Sequence, residues 1–181
     1  MKRIITGLCI LLSCAVQAQK LYTKNGHAAF FSKASLENIT AETNQVATVL
    51  NTRSGEIQFS ILVKSFHFRK ALMEEHFNEN YMESDKYPKA TFKGSITDMS
   101  KVNFTADGSY AVTVAGELSI HGVTNKISVP GTITVAAGIP RAAASFNILL
   151  SDYKISIPAL VKDNISSSIA ISVNCTYNQQ L

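Results

Sequence analysis

From residue 20 onward the chain is written mostly in alternation. Glu56 to Lys64 sets Ile57, Phe59, Ile61 and Val63 on one face and Glu56, Gln58, Ser60 and Lys64 on the other, with only Leu62 out of step. Period-two patterning of this kind marks a half-buried strand. The same reading sets Ala90, Phe92, Gly94 and Ile96 against Thr91, Lys93, Ser95 and Thr97. It sets Tyr110, Val112, Val114, Gly116, Leu118 and Ile120 against Ala111, Thr113, Ala115, Glu117 and Ser119. His121-Gly122-Val123-Thr124 then turns the chain into a return strand with Ile127, Val129, Gly131, Ile133 and Val135 inward. Ala142, Ala144, Phe146, Ile148 and Leu150 continue that face, and Ile165, Ile169, Ile171, Val173, Cys175 and Tyr177 complete it. Weaker signals predict strands over Lys20–Thr23, His27–Ser35 and Gln45–Thr52, the last joined to Glu56–Lys64 by Arg53-Ser54-Gly55. A short strand is expected over Lys101–Phe104, ahead of the Asp107-Gly108 turn.

One stretch breaks the alternation. Leu72, Met73, His76 and Phe77 share one side of a helix, while Glu74, Glu75, Asn78 and Glu79 lie mostly on the other. A short helix over about residues 70–80 is predicted, set between the Glu56–Lys64 strand and the strand opened by Tyr87-Pro88. That position makes it a candidate lid on one barrel end. Leu72, Met73 and Phe77 would face the interior, with His76 the polar group nearest any ligand head group.

The outward residues are chiefly Ser, Thr, Asn and Lys, and the inward ones are apolar. One wet and one apolar face on long antiparallel strands implies an all-β, closed or nearly closed barrel of about eight strands. A membrane barrel places these faces the other way round. No linker or compositional break divides the chain, so one domain is expected. A barrel of this size either fills its lumen with side chains or holds one small ligand. Gly94, Gly116, Gly131, Ala142 and Ala144 leave room among Phe59, Phe92, Phe146 and the Ile/Val set, and both readings stay open on periodicity alone. A tunnel so apolar suits a chain-like lipid.

The N-terminus changes the charge and cysteine balance. Lys2 and Arg3, the apolar run Ile4–Leu12 and Val16-Gln17-Ala18 read as an export signal cut after Ala18, leaving residues 19–181 as the mature domain. Leu11-Leu12-Ser13-Cys14 offers a rival, a lipoprotein anchored through Cys14. The whole chain has 17 basic and 13 acidic residues, and loss of Lys2 and Arg3 brings the mature balance from +4 to +2. That excess is too small and too evenly spread to argue for nucleic acid. Cys175 is left as the single mature thiol, so no internal disulfide forms. No later run is long enough to span a membrane as a helix. The expected location is the periplasm or the exterior.

Catalytic patterns are sparse. His27, His67, His76 and His121 show no metal-ligand spacing, and His76 with Glu79 supplies at most two ligands. No GxSxG, GxGxxG or P-loop occurs, and Cys175 sits at an inward strand position. An enzyme using His76 with Glu79 or Asp152 is the weakest reading. No enzyme activity, cofactor or metal is expected.

Three blocks carry a family resemblance. His76-Phe77-Asn78 through Tyr81-Met82 and then Lys86-Tyr87-Pro88-Lys89-Ala90-Thr91-Phe92 resembles the "H-L … F-F-D … Y-P-x-A-T-F" block of YceI-like exported bacterial proteins. Gly116-Glu117-Leu118-Ser119-Ile120-His121-Gly122-Val123-Thr124-Asn125 resembles their "G-x-L-T-L-x-G-V-T-K" hairpin. Phe146-Asn147-Ile148 with Ser151-Asp152-Tyr153-Lys154-Ile155 resembles "F-x-I-x-R-x-D-F-G-I". Leu150 stands in place of the Arg, Lys154 in place of the Gly, and Tyr81-Met82 in place of the aromatic pair. The resemblance implies a lipocalin-like, eight-stranded antiparallel barrel. Its lumen would bind a long isoprenoid chain, such as a quinone or polyprenyl phosphate tail, without catalysis. The candidate ligand-binding residues are Phe59, Ile61, Met73, His76, Phe77, Phe92, Val114, Leu118, Ile133, Ala144, Phe146 and Ile171. The expected partner is an isoprenoid lipid, with a homodimer as one assembly. The competing reading is a packed barrel acting through its surface as an interaction or stress-protective module.

Overall fold

The computed structural model describes residues 20–181; the expected signal segment, its cut at Ala18 and Cys14 lie outside the described residues. The elements are β1 (Lys20–Lys33), β2 (Asn38–Asn51), β3 (Glu56–Leu62), β4 (His67–Phe68), α1 (Ala71–His76), β5 (Lys89–Ile96), β6 (Gly108–Ile120), β7 (Val123–Ala136), β8 (Ile139–Leu149), β9 (Ser168–Thr176) and β10 (Gln179–Gln180). Strands neighbour one another in the order β1-β9-β8-β7-β6-β5-β3-β2, and β2 pairs back onto β1. The result is a closed antiparallel barrel of eight strands, with β4 and β10 as short additions at its margins. Closure leaves no whole strand at an edge, although residues 123–130 of β7 and 145–149 of β8 pair on one side only.

The expected strands over Lys20–Thr23 and His27–Ser35 are one strand, β1. Pairing shifts between Thr23 and Gly26 and again between Gly26 and Ala28. These bulges move the inward set from Leu21 and Thr23 to Gly26, Ala28, Phe30 and Ser32, so the alternation changes phase without ending the strand. β2 changes phase opposite them, with Ala41 and Thr43 buried before Asn44-Gln45 and Val46, Thr48 and Leu50 buried after. The sequence reading therefore caught only its second half. No strand forms over Lys101–Phe104. The chain instead makes a 3₁₀ turn at Met99–Lys101, and Asn103 Oδ1 accepts from Thr105 N at 2.9 Å while Val102 and Phe104 pack inward. The β6–β7 turn is tighter than expected: His121 (φ 51°) and Gly122 (φ 72°) form it alone. Both residues lie in the left-handed region that a two-residue hairpin twisted like its strands requires.

One end of the barrel is plugged. Leu50, Ile96, Val135 and Tyr177 are almost fully buried there. Tyr177 OH and Thr48 Oγ1 satisfy each other at 2.9 Å. Beside them Cys175 is 2% exposed, and burial pushes its thiol up to about 12 from an ordinary 9.0. A native value above the unfolded one favours the neutral thiol in the fold. Its stability contribution is complete below pH 9 and is lost as pH rises from 9 toward 12, where the unfolded chain ionises first. The slope is about 1.4 kcal/mol per pH unit. Cys175→Ala should remove the part of the alkaline destabilisation that begins near pH 9, measured by urea unfolding across pH. A thiol reagent at pH 8 should label Cys175 only after unfolding.

Candidate functional site: an apolar lumen and its mouth

Above this plug the barrel is hollow. A cavity of about 440 Å³ runs along the inner faces of the strands, within the range of small-molecule sites. All twelve candidate residues line it: Phe59, Ile61, Met73, His76, Phe77, Phe92, Val114, Leu118, Ile133, Ala144, Phe146 and Ile171. Gly131, Ala142 and Ala144 on β7 and β8 leave the space that larger side chains would take. Gly94 and Gly116 do not, against expectation. The two are cross-strand partners on β5 and β6, and the Phe92 ring lies over both. Their missing side chains make room for Phe92 rather than for a ligand.

The helix sits across the other end, in two parts: α1, then a π-helical turn over Phe77–Tyr81. Met73 and Phe77 are four residues apart and face the cavity together. Leu72 does not face inward; it is 61% exposed. In so short a helix one row of side chains points down, and Leu72 lies about 100° around from Met73. The cavity reaches solvent beside this lid, where Glu37, His76, Val161, Asn164 and Ile165 are lining residues that remain half-buried or exposed. Tyr81 also lines it, and burial raises its phenol, keeping it neutral. Glu79 and Asp152, the partners considered for His76, line no part of the cavity. Among the described residues no three His, Cys, Asp or Glu side chains converge as a metal site.

Sequence reasoning missed an aromatic collar beneath the lid. Phe30 of β1 stacks on Phe77 at 5.4 Å between ring centroids, and Phe66 and Phe68 pack edgewise or tilted around the pair. All four rings line the cavity. The Phe66-x-Phe68 spacing was a visible signal. The bend at Val63–Ser65 hid it by ending the alternation of β3, and the phase change in β1 hid Phe30.

The decisive comparison concerns the whole barrel. The sequence model of the YceI-like domain matches residues 20–177. The chain belongs to the YceI-like family. Solved structures agree in fold. A polyisoprenoid-binding domain from Saccharophagus degradans superposes with a TM-score of 0.74 at 16% identity, covering 88% of this chain and 98% of that one. BcnA from Burkholderia cenocepacia gives 0.69 at 16% identity, covering 84% and 96%. The YceI protein of Campylobacter jejuni gives 0.59 at 16% identity, covering both chains completely. No curated protein matches the sequence.

In this YceI-like barrel the three motif blocks meet in one corner. His121 Nε2 lies 2.7 Å from Glu83 Oε2, and its Nδ1 lies 3.1 Å from the Tyr153 carbonyl oxygen. The Tyr87 ring packs edge-on against His121 and lies against Gly122, while Asn125 Nδ2 donates to the Asp152 carbonyl at 2.7 Å. Lys154, standing where the family pattern has Gly, takes a φ of 56°. The corner clasps the loop after the lid to the β6–β7 hairpin and to the turn after β8. Leu150, standing where the pattern has Arg, lines the cavity instead. His121→Ala should cost about 2 kcal/mol in urea unfolding, because it removes two hydrogen-bonded contacts from a half-buried site. His121→Gly should recover part of that loss by relieving the positive φ.

Proposed function

We propose that the protein binds, stores or transports an amphiphilic isoprenoid lipid of quinone or polyprenyl type in its lumen, without catalysing a reaction. The observation that carries this reading is the cavity of about 440 Å³, lined by aliphatic and aromatic side chains inside a YceI-like barrel. An apolar chain entering that space releases water from both surfaces, worth roughly 25 cal/mol per Å² of apolar area. The few polar groups around the mouth, Glu37, His76, Tyr81 and Asn164, suit the head of such a molecule. The polyisoprenoid-binding relative from Saccharophagus degradans supports the same ligand class. Work in the periplasm or outside the cell, after cleavage near Ala18, completes the proposal and accords with the signal-like residues 1–18.

The test is a titration with quinones of increasing isoprenoid length. The sequence has no Trp, so tyrosine emission reports binding. Saturable binding that tightens with tail length is expected, and a tail-less head group should bind far more weakly. Indifference to tail length would overturn the reading.

A further inference from the structure

Three of the large apolar side chains that the fold leaves in water lie together at the cavity mouth. Leu160 is 97% exposed, Leu36 73% and Leu72 61%, and none of the three lines the cavity. They sit on three segments held side by side. Leu36 N donates to the Asp163 carbonyl at 3.0 Å, and Lys70 Nζ bonds Glu37 Oε1 at 2.7 Å. The β1–β2 loop thus bridges the turn carrying Leu160 and the start of the helix carrying Leu72. The same segments supply Glu37, Met73, His76, Val161 and Asn164 to the cavity rim. Three leucines on separate turns offer at most a few hundred Å², short of the ~800 Å² per partner that a stable protein interface buries. A fluid bilayer has no such requirement, since isolated apolar side chains insert into it one by one.

We propose that this rim is a membrane-docking surface, seating Leu36, Leu72 and Leu160 in the bilayer interface so that the lumen opens onto lipid. The inference rests on the lipid-binding reading of the lumen: an apolar cargo then passes between membrane and cavity without crossing water. Residues 33–38, 62–89 and 158–165 carry seven basic and seven acidic side chains, so docking is driven by the leucines rather than by charge.

The protein as its cell produces it, floated with uncharged phosphatidylcholine vesicles, tests this. It should float with the vesicles at low and high salt alike. The triple variant L36S/L72S/L160S should lower the bound fraction at least about ten-fold, yet take up quinone presented in solution as the parent does. Failure of the parent to float, or undiminished flotation of the variant, would overturn the proposal. So would a concentration-dependent dimer that the variant abolishes without any flotation, which would assign the leucines to a second copy. Flotation that depends on the leucines in a protein that takes up no quinone would support docking and defeat the lipid-carrier reading instead.

Discussion

Ala144→Phe should weaken uptake of a long isoprenoid by at least about ten-fold, or 1.4 kcal/mol, in a barrel that still folds. Ala144 points inward from β8, flanked by Gly131 of β7 and Val173 of β9. A Cβ added at Gly131 would already lie 3.8 Å from Ala144 Cβ, so this part of the wall is built from small groups. A phenyl ring there projects into open lumen rather than into packed neighbours, and its strain stays at or below the ~1–3 kcal/mol of ordinary overpacking. It takes the volume that a ligand tail would need. Ser145→Phe, one residue along on the exposed outer face, is the matched control and should leave uptake unchanged. The pair of titrations separates loss of lumen from a general effect of an added aromatic.

Gly116→Ala should do the reverse, leaving no usable fold to assay. At that crossing a Cβ would lie 2.5 Å from Gly94 Cα and 2.8 Å from Phe92 Cζ, and would also drive into the Lys93 carbonyl oxygen. Two of these obstacles are backbone of a paired strand, which cannot swing aside as a flexible side chain does. A loss above about 3 kcal/mol in urea unfolding, or failure to accumulate soluble protein, is the expected result. Gly131→Ala meets nothing closer than the Ala143 carbonyl oxygen at 3.1 Å and should cost under about 1.5 kcal/mol. The contrast distinguishes a glycine that the sheet needs from one that the cavity uses.

These two variants also mark where sequence was informative. β6 and β7 were legible almost to the residue because one face is more sheltered than the other along nearly their whole length, so period two persists. Nine of the twelve candidate residues line the cavity from inward positions on strands β3 and β5–β9, and Met73, His76 and Phe77 line it because the helix crosses its mouth. β1 and β2 were half-legible. Their bulges reverse the phase of the pattern, and a reader following alternation sees a break where the chain sees a bend. The roles of Gly94 and Gly116 were hidden for a different reason. A glycine in a strand signals that something comes close, but not whether that is a ligand or, as here, the ring of Phe92 two positions away. Leu72 was assigned to the interior because helical periodicity gives a face about half a turn wide. Which row within that face points down is settled by packing across the mouth, where Phe77 meets the Phe30 and Phe68 rings and Met73, one turn before it, lines the cavity. The His121–Glu83 contact joins positions 38 apart and left no periodic trace at all.

The most direct measurement is organic extraction of the protein purified from its own host, followed by mass spectrometry of the extract. A lipid bearing an isoprenoid tail should co-purify in near-stoichiometric amount with the parent and be depleted in Ala144→Phe. An extract without any such lipid, from a protein that also fails to take up added quinone, would contradict a lipid-carrying lumen.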